Sequence, residues 1–274
     1  MRFKKFHDGY PVPVLGLGTS RFGADLSEKA QDVAAIRKAI ELGYTHIDTA
    51  EVYGGGESER VIGEAIKGFD RKKLFITSKV GRNHLRYAQV LEAIEGSLER
   101  LGTDYLDLYL IHAPDPTVPL DETFRALNEL VEQGKTRYIG VSNFNREQMD
   151  HAFHLTESIL ATNQVHYNLM VREPEENGVL TYCQQHDVLL TAYSPVKRLD
   201  GVALEEAARI ARGYSATPHQ VALAWLISKP HVITIVQSTD EGHMRENLDA
   251  LDLELSAEEI RRLDALHEVV TAGR

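Results

Sequence analysis

Cysteine is almost absent from this chain. Cys183 is the only one in 274 residues, which excludes an internal disulfide and any multi-cysteine metal site. Long apolar runs are missing as well: no stretch approaches about 18 uninterrupted apolar residues, and the opening MRFKKFHDGYPVPVLGLG has cations but no apolar segment of signal-peptide length. A soluble cytoplasmic protein with no membrane partner is therefore expected. Positive charge is the minority sign, with 30 Lys and Arg against 41 Asp and Glu, a formal charge of −11 and a pI near 5.6. Such a surface repels nucleic acid, so no nucleic-acid partner is expected. The phosphate-binding glycine motifs are missing too. GLGTSRFG supplies Gly16 and Gly18 but Arg21 where G-x-G-x-x-G needs its third glycine, and no G-x-x-x-x-G-K-[ST] occurs. Nor is there an H-x-x-E-H or similar ligand cluster, so no metal is expected.

What the chain does contain is repetition. Eight short runs rich in apolar and β-branched residues recur: 14–18, 44–48, 74–79, 106–112, 136–142, 161–165, 188–193 and 231–236. Between them lie helical stripes. Val33, Ile36 and Ile40 share one face, as do Val90, Ile94, Leu98 and Leu101, and then Phe124, Leu127, Leu130 and Val131. Strands alternating with helices at about 30-residue spacing, with no Pro/Gly/Ser-rich linker, predict an α/β fold: one (β/α)8 TIM barrel spanning 1–274. Residues 2–14 read as a β-hairpin turning at Asp8-Gly9 that plugs the barrel's lower mouth. The interval 194–230 is expected to hold helices over Val202–Tyr214 and His219–Ser228. A C-terminal helix over Ala257–His267 opens with Ser256 and Glu259 at capping-box spacing. A doubly wound sheet is the alternative architecture, and the missing glycine turn speaks against it.

In such a barrel the working residues sit at the carboxyl ends of the strands. Asp48 ends the second run, Lys79 the third and His112 the fourth, while Tyr53 lies just beyond Asp48. Ending apolar strands with titratable side chains costs desolvation, so four such residues on one rim ask for a shared purpose.

Over nearly its whole length the chain resembles the aldo-keto reductases, in GYTHIDTAEVYG, ITSKV, LDLYLIH, KTRYIGVSNF, NQVHYN, AYSP and MREN. The resemblance implies a catalytic tetrad of Asp48, Tyr53, Lys79 and His112. It also implies hydride transfer between NAD(P)H and the carbonyl of an aldehyde or ketone. The chemistry suits those residue types. Reduction builds negative charge on the carbonyl oxygen, which calls for a proton donor beside it. A free phenol titrates near about 10, and a neighbouring ammonium favours its ionised form. On this reading Tyr53 is the acid, Lys79 assists it, Asp48 keeps Lys79 charged and oriented, and His112 orients the carbonyl oxygen.

The resemblance further implies a dinucleotide lying across the barrel mouth. Ser142, Asn143 and Gln164 match residues that clamp the nicotinamide carboxamide, and Tyr193 matches the aromatic stacked on its ring. Ser194, Pro195, Val196 and Lys197, with Arg198, form a loop over the pyrophosphate. At the adenosine end the expected positions are Gln237, Ser238, His243, Glu246 and Asn247. Here the chain departs from the family. Gln237 stands where lysine is common and His243 where arginine is common, which weakens a 2′-phosphate site. NADP(H) is the family expectation, with NAD(H) as the alternative.

Candidate substrate walls are Phe22, Val52, Arg82 with Asn83, Ala113, and Tyr167 or Asn168. Ala113 replaces a tryptophan frequent in the family, the TAEVYGGGESERVIG loop is longer than in compact members, and the chain stops shortly after the last helix. An open, loosely selective pocket for a small-molecule carbonyl is expected, in a monomer or small homo-oligomer. Three other functions fit the same residues: an NAD-dependent aldose or alcohol dehydrogenase, a barrel aldolase or lyase using a Lys79 Schiff base, and a non-catalytic cofactor-sensing subunit like the potassium-channel auxiliary proteins.

Overall fold

The chain's eight apolar runs close into a parallel barrel in the computed structural model, which describes residues 1–272. Two short strands come first, β1 (Phe3–Lys5) and β2 (Pro11–Pro13), paired antiparallel across the Asp8-Gly9 turn. The barrel strands are β3 (Leu15–Gly18), β4 (His46–Asp48), β5 (Phe75–Val80), β6 (Leu106–Ile111), β7 (Thr136–Ser142), β8 (Leu160–His166), β9 (Leu189–Tyr193) and β10 (Val232–Val236). They lie in sequence order, and β10 closes on β3. Helices α1 (Lys29–Leu42), α2 (Glu57–Ala65), α3 (Tyr87–Leu101), α4 (Leu120–Glu132), α5 (Arg146–Leu155), α6 (Glu173–Glu176) and α7 (Val179–Gln185) fill the connections up to β9. The long interval before β10 holds α8 (Gly201–Tyr214) and α9 (Pro218–Ser228), and α10 (Glu241–Asp249) and α11 (Ala257–Ala272) follow it.

The sequence explains the layering. Strands covered by helices outside and side chains inside are buried on both faces, so they read as continuous apolar runs rather than alternations. Accordingly β5 and β6 are buried at every position. The helices bury one face, built on their stripes: Val90, Ile94, Leu98 and Leu101 of α3 with Ala93 and Ser97 beside them, and Phe124, Leu127 and Leu130 of α4 with Thr123, Ala126 and Asn128. The exception is α9, buried from Gln220 through Ile227. Its start is set by Thr217, whose side chain caps the backbone N–H of Gln220, with Pro218 in the first turn. The capping box at Ser256 also forms, with the Ser256 N–H donating to Glu259 Oε2 at 2.8 Å. The expected helix over 257–267 lies within α11; the side chains from His267 onward, and residues 273–274 entirely, lie outside the described residues.

The hairpin covers the amino ends of the strands. Phe6 and Tyr10 pack on Phe75 and Tyr138, at the starts of β5 and β7, with ring centroids 4.8–6.3 Å apart. Lys4 Nζ caps three backbone carbonyls at the base of β10, those of Ile227, Lys229 and Val232. With that end sealed by packing, the opposite rim is left open for chemistry. Among the described residues no helix is long and apolar enough to cross a membrane.

Candidate active site

Strand alternation delivers the site. Along β4, His46 and Asp48 share one side of the strand; along β5, Phe75, Thr77 and Lys79 do. The register sets Asp48 beside Thr77, one step below Lys79. Lys79 Nζ therefore reaches across to Asp48 Oδ1 at 2.6 Å and also donates to the carbonyl of Thr49 at 2.7 Å. Its third neighbour is Tyr53 Oη at 3.5 Å. The chain reaches Tyr53 through a tight turn continued by Gly54, Gly55 and Gly56, all at positive φ, a run of left-handed backbone that glycine adopts without steric cost. His112 follows β6 directly, and its ring meets that of Tyr53 edge-on with centroids 5.4 Å apart.

Lys79 and Asp48 are fully buried, at 0% and 1% side-chain exposure. Burial alone pulls the Lys79 ammonium toward neutrality, but the Asp48 carboxylate, Tyr53 and the hydrogen bonds to both outweigh it, and its pKa stands above the ordinary lysine value. The second carboxylate oxygen of Asp48 accepts from Gln164 Nε2 at 2.7 Å. One carboxylate thus holds the lysine on one side and a β8 amide on the other. His112 behaves oppositely: burial, then the Lys79 charge, hold its pKa down at about 4, so its ring is neutral at neutral pH.

From this point a cleft of about 920 Å³ runs along the rim past the ends of β7 to β10, a size suited to a cofactor or substrate. Tyr53, His112, Ser142, Asn143, Gln164 and Tyr193 line one end; Gln237, Ser238, His243 and Asn247 line the other, with Ser194 through Lys197 between them. Asn143 takes a left-handed conformation (φ 61°), which asparagine tolerates, and donates through Nδ2 to the His112 carbonyl at 3.1 Å while accepting from Tyr193 Oη at 3.1 Å. Ser142 Oγ donates to the Gln164 carbonyl at 2.8 Å. Ser194 and Arg198 also hold positive φ, so the loop carries strain at its two ends, the first of them on the cleft. Three polar residues beside an aromatic ring, at one end of an elongated polar cleft, fit the amide and ring of a nicotinamide.

Of the other expected residues, some line this cleft and some do not. Phe22 lines the cleft although only 1% exposed, whereas Val52 (46% exposed), Arg82 and Ala113 stand outside its lining. Arg82 faces Asp115 at 3.7 Å. Glu246 is exposed and also outside the lining, while Tyr167 is buried with its hydroxyl on Glu175. Arg21, Glu28 and Asp32 line the cleft without having been expected there. A further residue absent from the sequence reading is His166. Its ring stacks on Tyr193, 8° from parallel with centroids 5.3 Å apart, because the two residues face each other in the β8–β9 register. The alternation Thr162, Gln164, His166 was the signal for it.

A profile of the Aldo/keto reductase family matches residues 14–268. The chain belongs to the aldo/keto reductase family. Methylglyoxal reductase YeaE of Escherichia coli (strain K12) is 40% identical over 266 residues, covering 95% of this chain and 93% of that protein. Glyoxal reductase of Bacillus subtilis (strain 168) is 37% identical, covering 98% and 94%. Among solved structures, the thermostable aldo-keto reductase Tm1743, in complex with the inhibitor epalrestat, superposes with a TM-score of 0.94 at 45% identity, covering 97% of this chain and 100% of that one. An aldo/keto reductase from Klebsiella pneumoniae in complex with NADP and acetate gives 0.88 at 40% identity, covering 96% and 94%. This aldo/keto reductase is accordingly an NAD(P)H-dependent oxidoreductase acting on a carbonyl group.

Two neutral histidines give the enzyme a pH signature. His46 lies below Asp48, fully buried, with Nε2 on Thr77 Oγ1 at 3.1 Å; burial holds its pKa at about 4, as it does for His112. Between about 4 and the ordinary 6.5 the unfolded chain takes up protons that the folded chain refuses. The stabilisation is therefore complete above pH 6.5 and declines as pH falls toward 4. Denaturant titrations at several pH values across that window should show stability falling with acidity, and His112→Gln should make the fall shallower. A flat profile would contradict the buried neutral state.

Proposed function

We propose that Tyr53 is the proton donor of carbonyl reduction, with Lys79, Asp48 and His112 completing its machinery, and that residues 1–274 act as one domain. What supports these roles is the fully buried Lys79 ammonium, hydrogen-bonded to Asp48 at 2.6 Å and 3.5 Å from the Tyr53 oxygen. When bound, the reduced dinucleotide supplies the hydride. Tyr53 gives its phenolic proton to the carbonyl oxygen, and the ammonium beside it stabilises the negative charge left behind. Asp48 keeps Lys79 charged and aimed. His112, neutral at working pH, donates one ring N–H toward the same oxygen and fixes the carbonyl's orientation. The Asp48 partner also disfavours the free amine that a Schiff-base aldolase would need.

Ser142, Asn143 and Gln164 would hold the carboxamide and Tyr193 the nicotinamide face, with Ser194 to Lys197 over the pyrophosphate. Since Gln164 also holds Asp48, seating the cofactor and aiming the lysine share one side chain. NADP(H) is the proposed cofactor, in line with the NADP of the Klebsiella structure. The adenosine end offers no strong anchor for a 2′-phosphate, however: Gln237 accepts from Ser20 Oγ at 2.9 Å, and His243 is 71% exposed beside Asp240. Weak discrimination, with NAD(H) accepted, follows. For substrate we propose small 2-oxoaldehydes, the class named in the two relatives, entering an open rim. The single free cysteine, buried, is in keeping with the reducing cytoplasm, and one chain carries the whole constellation, as a monomer or small homo-oligomer would need.

Tyr53→Phe should lower kcat for NADPH-dependent methylglyoxal reduction by about 10²- to 10⁴-fold with little change in NADPH affinity. Turnover within tenfold of the parent would remove Tyr53 as the acid. Steady-state kinetics with both cofactors should give an NADPH preference in kcat/KM well below about a thousandfold. Gln237→Lys with His243→Arg should raise it roughly tenfold for each charge-assisted contact regained, about 1.4 kcal/mol apiece. A parent preference above a thousandfold would refute weak discrimination.

A further inference from the structure

We propose that Glu51 is a positioning residue: its side chain clasps the loop after β5 and so fixes the separation between Tyr53 and Lys79. The inference rests on the reading of those two residues given above. Glu51 lies two residues before Tyr53, and Gly81 two residues after Lys79.

The β4–β5 ladder does not stop where β4 stops. The Thr49 N–H donates to the Thr77 carbonyl at 2.9 Å and the Glu51 N–H to the Lys79 carbonyl at 3.3 Å. At the next step the backbone of the first segment turns away toward Tyr53, and no carbonyl is left to receive the Gly81 N–H. Glu51 Oε1 takes that place, accepting from Gly81 N at 2.5 Å, with His84 Nδ1 2.9 Å from the same oxygen. The carboxylate is 8% exposed, and a carboxylate so nearly buried needs such donors. One residue thereby ties the phenol's loop to the ammonium's strand at Lys79 itself and again two residues beyond it.

Gly81 gives a second, independent sign that the clasp is tight. Its backbone is ordinary extended chain (φ −65°, ψ 150°), so glycine is not needed there for conformational freedom. It is needed for space: a Cβ would lie 2.9 Å from Glu51 Oε1, from Val52 Cγ1 and from Asn83 Oδ1. The consequence falls on the 3.5 Å between Lys79 Nζ and Tyr53 Oη, already at the outer edge of a hydrogen bond. A displacement of about 1 Å in such a pair is worth up to roughly a hundredfold in rate. The cofactor cleft takes no lining from Glu51 or Gly81.

The test compares Glu51→Ala, Glu51→Gln and Gly81→Ala, reading kcat for methylglyoxal, the NADPH dissociation constant by fluorescence, and amide exchange at Gly81. Glu51→Ala should lower kcat by about 10- to 100-fold, leave NADPH binding within about twofold and release the Gly81 amide to exchange. Glu51→Gln keeps an oxygen acceptor and should restore kcat to within about fivefold. Gly81→Ala should lose rate with Glu51 intact. In a Tyr53→Phe background, Glu51→Ala should cost little more, since it acts through Tyr53. Glu51→Ala with kcat within threefold and a protected Gly81 amide would overturn the clasp, as would Glu51→Gln being as slow as Glu51→Ala. An active Tyr53→Phe would instead strike the acid assignment, with Gly81 exchange still judging the clasp.

Discussion

A charged lysine with no exposed surface is the constraint around which the barrel mouth is arranged. Lys79 is held in its ammonium form by Asp48, itself 1% exposed, and removing either partner from such a pair leaves an uncompensated buried charge, typically about 3–5 kcal/mol. The remaining capacity of the pair is filled from outside it: Thr49 offers a carbonyl to Lys79, and Gln164 donates to Asp48. That satisfaction links β4, β5 and β8, so Lys79, Asp48 and Gln164 are parts of one hydrogen-bonded unit. Replacement by apolar side chains would remove the desolvation cost and the chemistry together.

The two ends of the barrel divide the work. Below, aromatic packing of Phe6 and Tyr10 on Phe75 and Tyr138, with Tyr138 Oη donating to Asp8 at 2.6 Å, closes the mouth without demanding polar function. Above, two residues that line the cleft, Asn143 and Ser194, hold left-handed backbone that only glycine adopts freely. Strain of that kind persists only where surrounding structure holds it, here the hydrogen bonds of Asn143 to His112 and Tyr193 and of Asn168 to the Ser194 carbonyl.

Much of this was legible in the sequence. Apolar runs buried on both faces announce parallel strands, and Asp48, Lys79 and His112 could be collected because each ends such a run. What stayed hidden depends on register between strands. That Gln164 reaches Asp48 needs the barrel to close, bringing β8 within reach of β4; that His166 backs Tyr193 needs the β8–β9 pairing. Glu51 reads as one more loop acid until its oxygen is found replacing a carbonyl in the ladder. The walls of the substrate pocket were the least legible. Val52, Arg82 and Ala113 follow strand ends as the rule requires, yet they stand outside the lining of the main cleft, and strand-end position alone does not tell which loop residues reach it.

The central claim is that Lys79 serves the proton step and not the cofactor seat. Single-turnover reduction of methylglyoxal by Lys79→Met loaded with NADPH tests it most directly. The account predicts a hydride-transfer rate at least about a thousandfold below the parent's, with the NADPH dissociation constant within about threefold. A rate within tenfold of the parent, in a variant that binds NADPH normally, would contradict it.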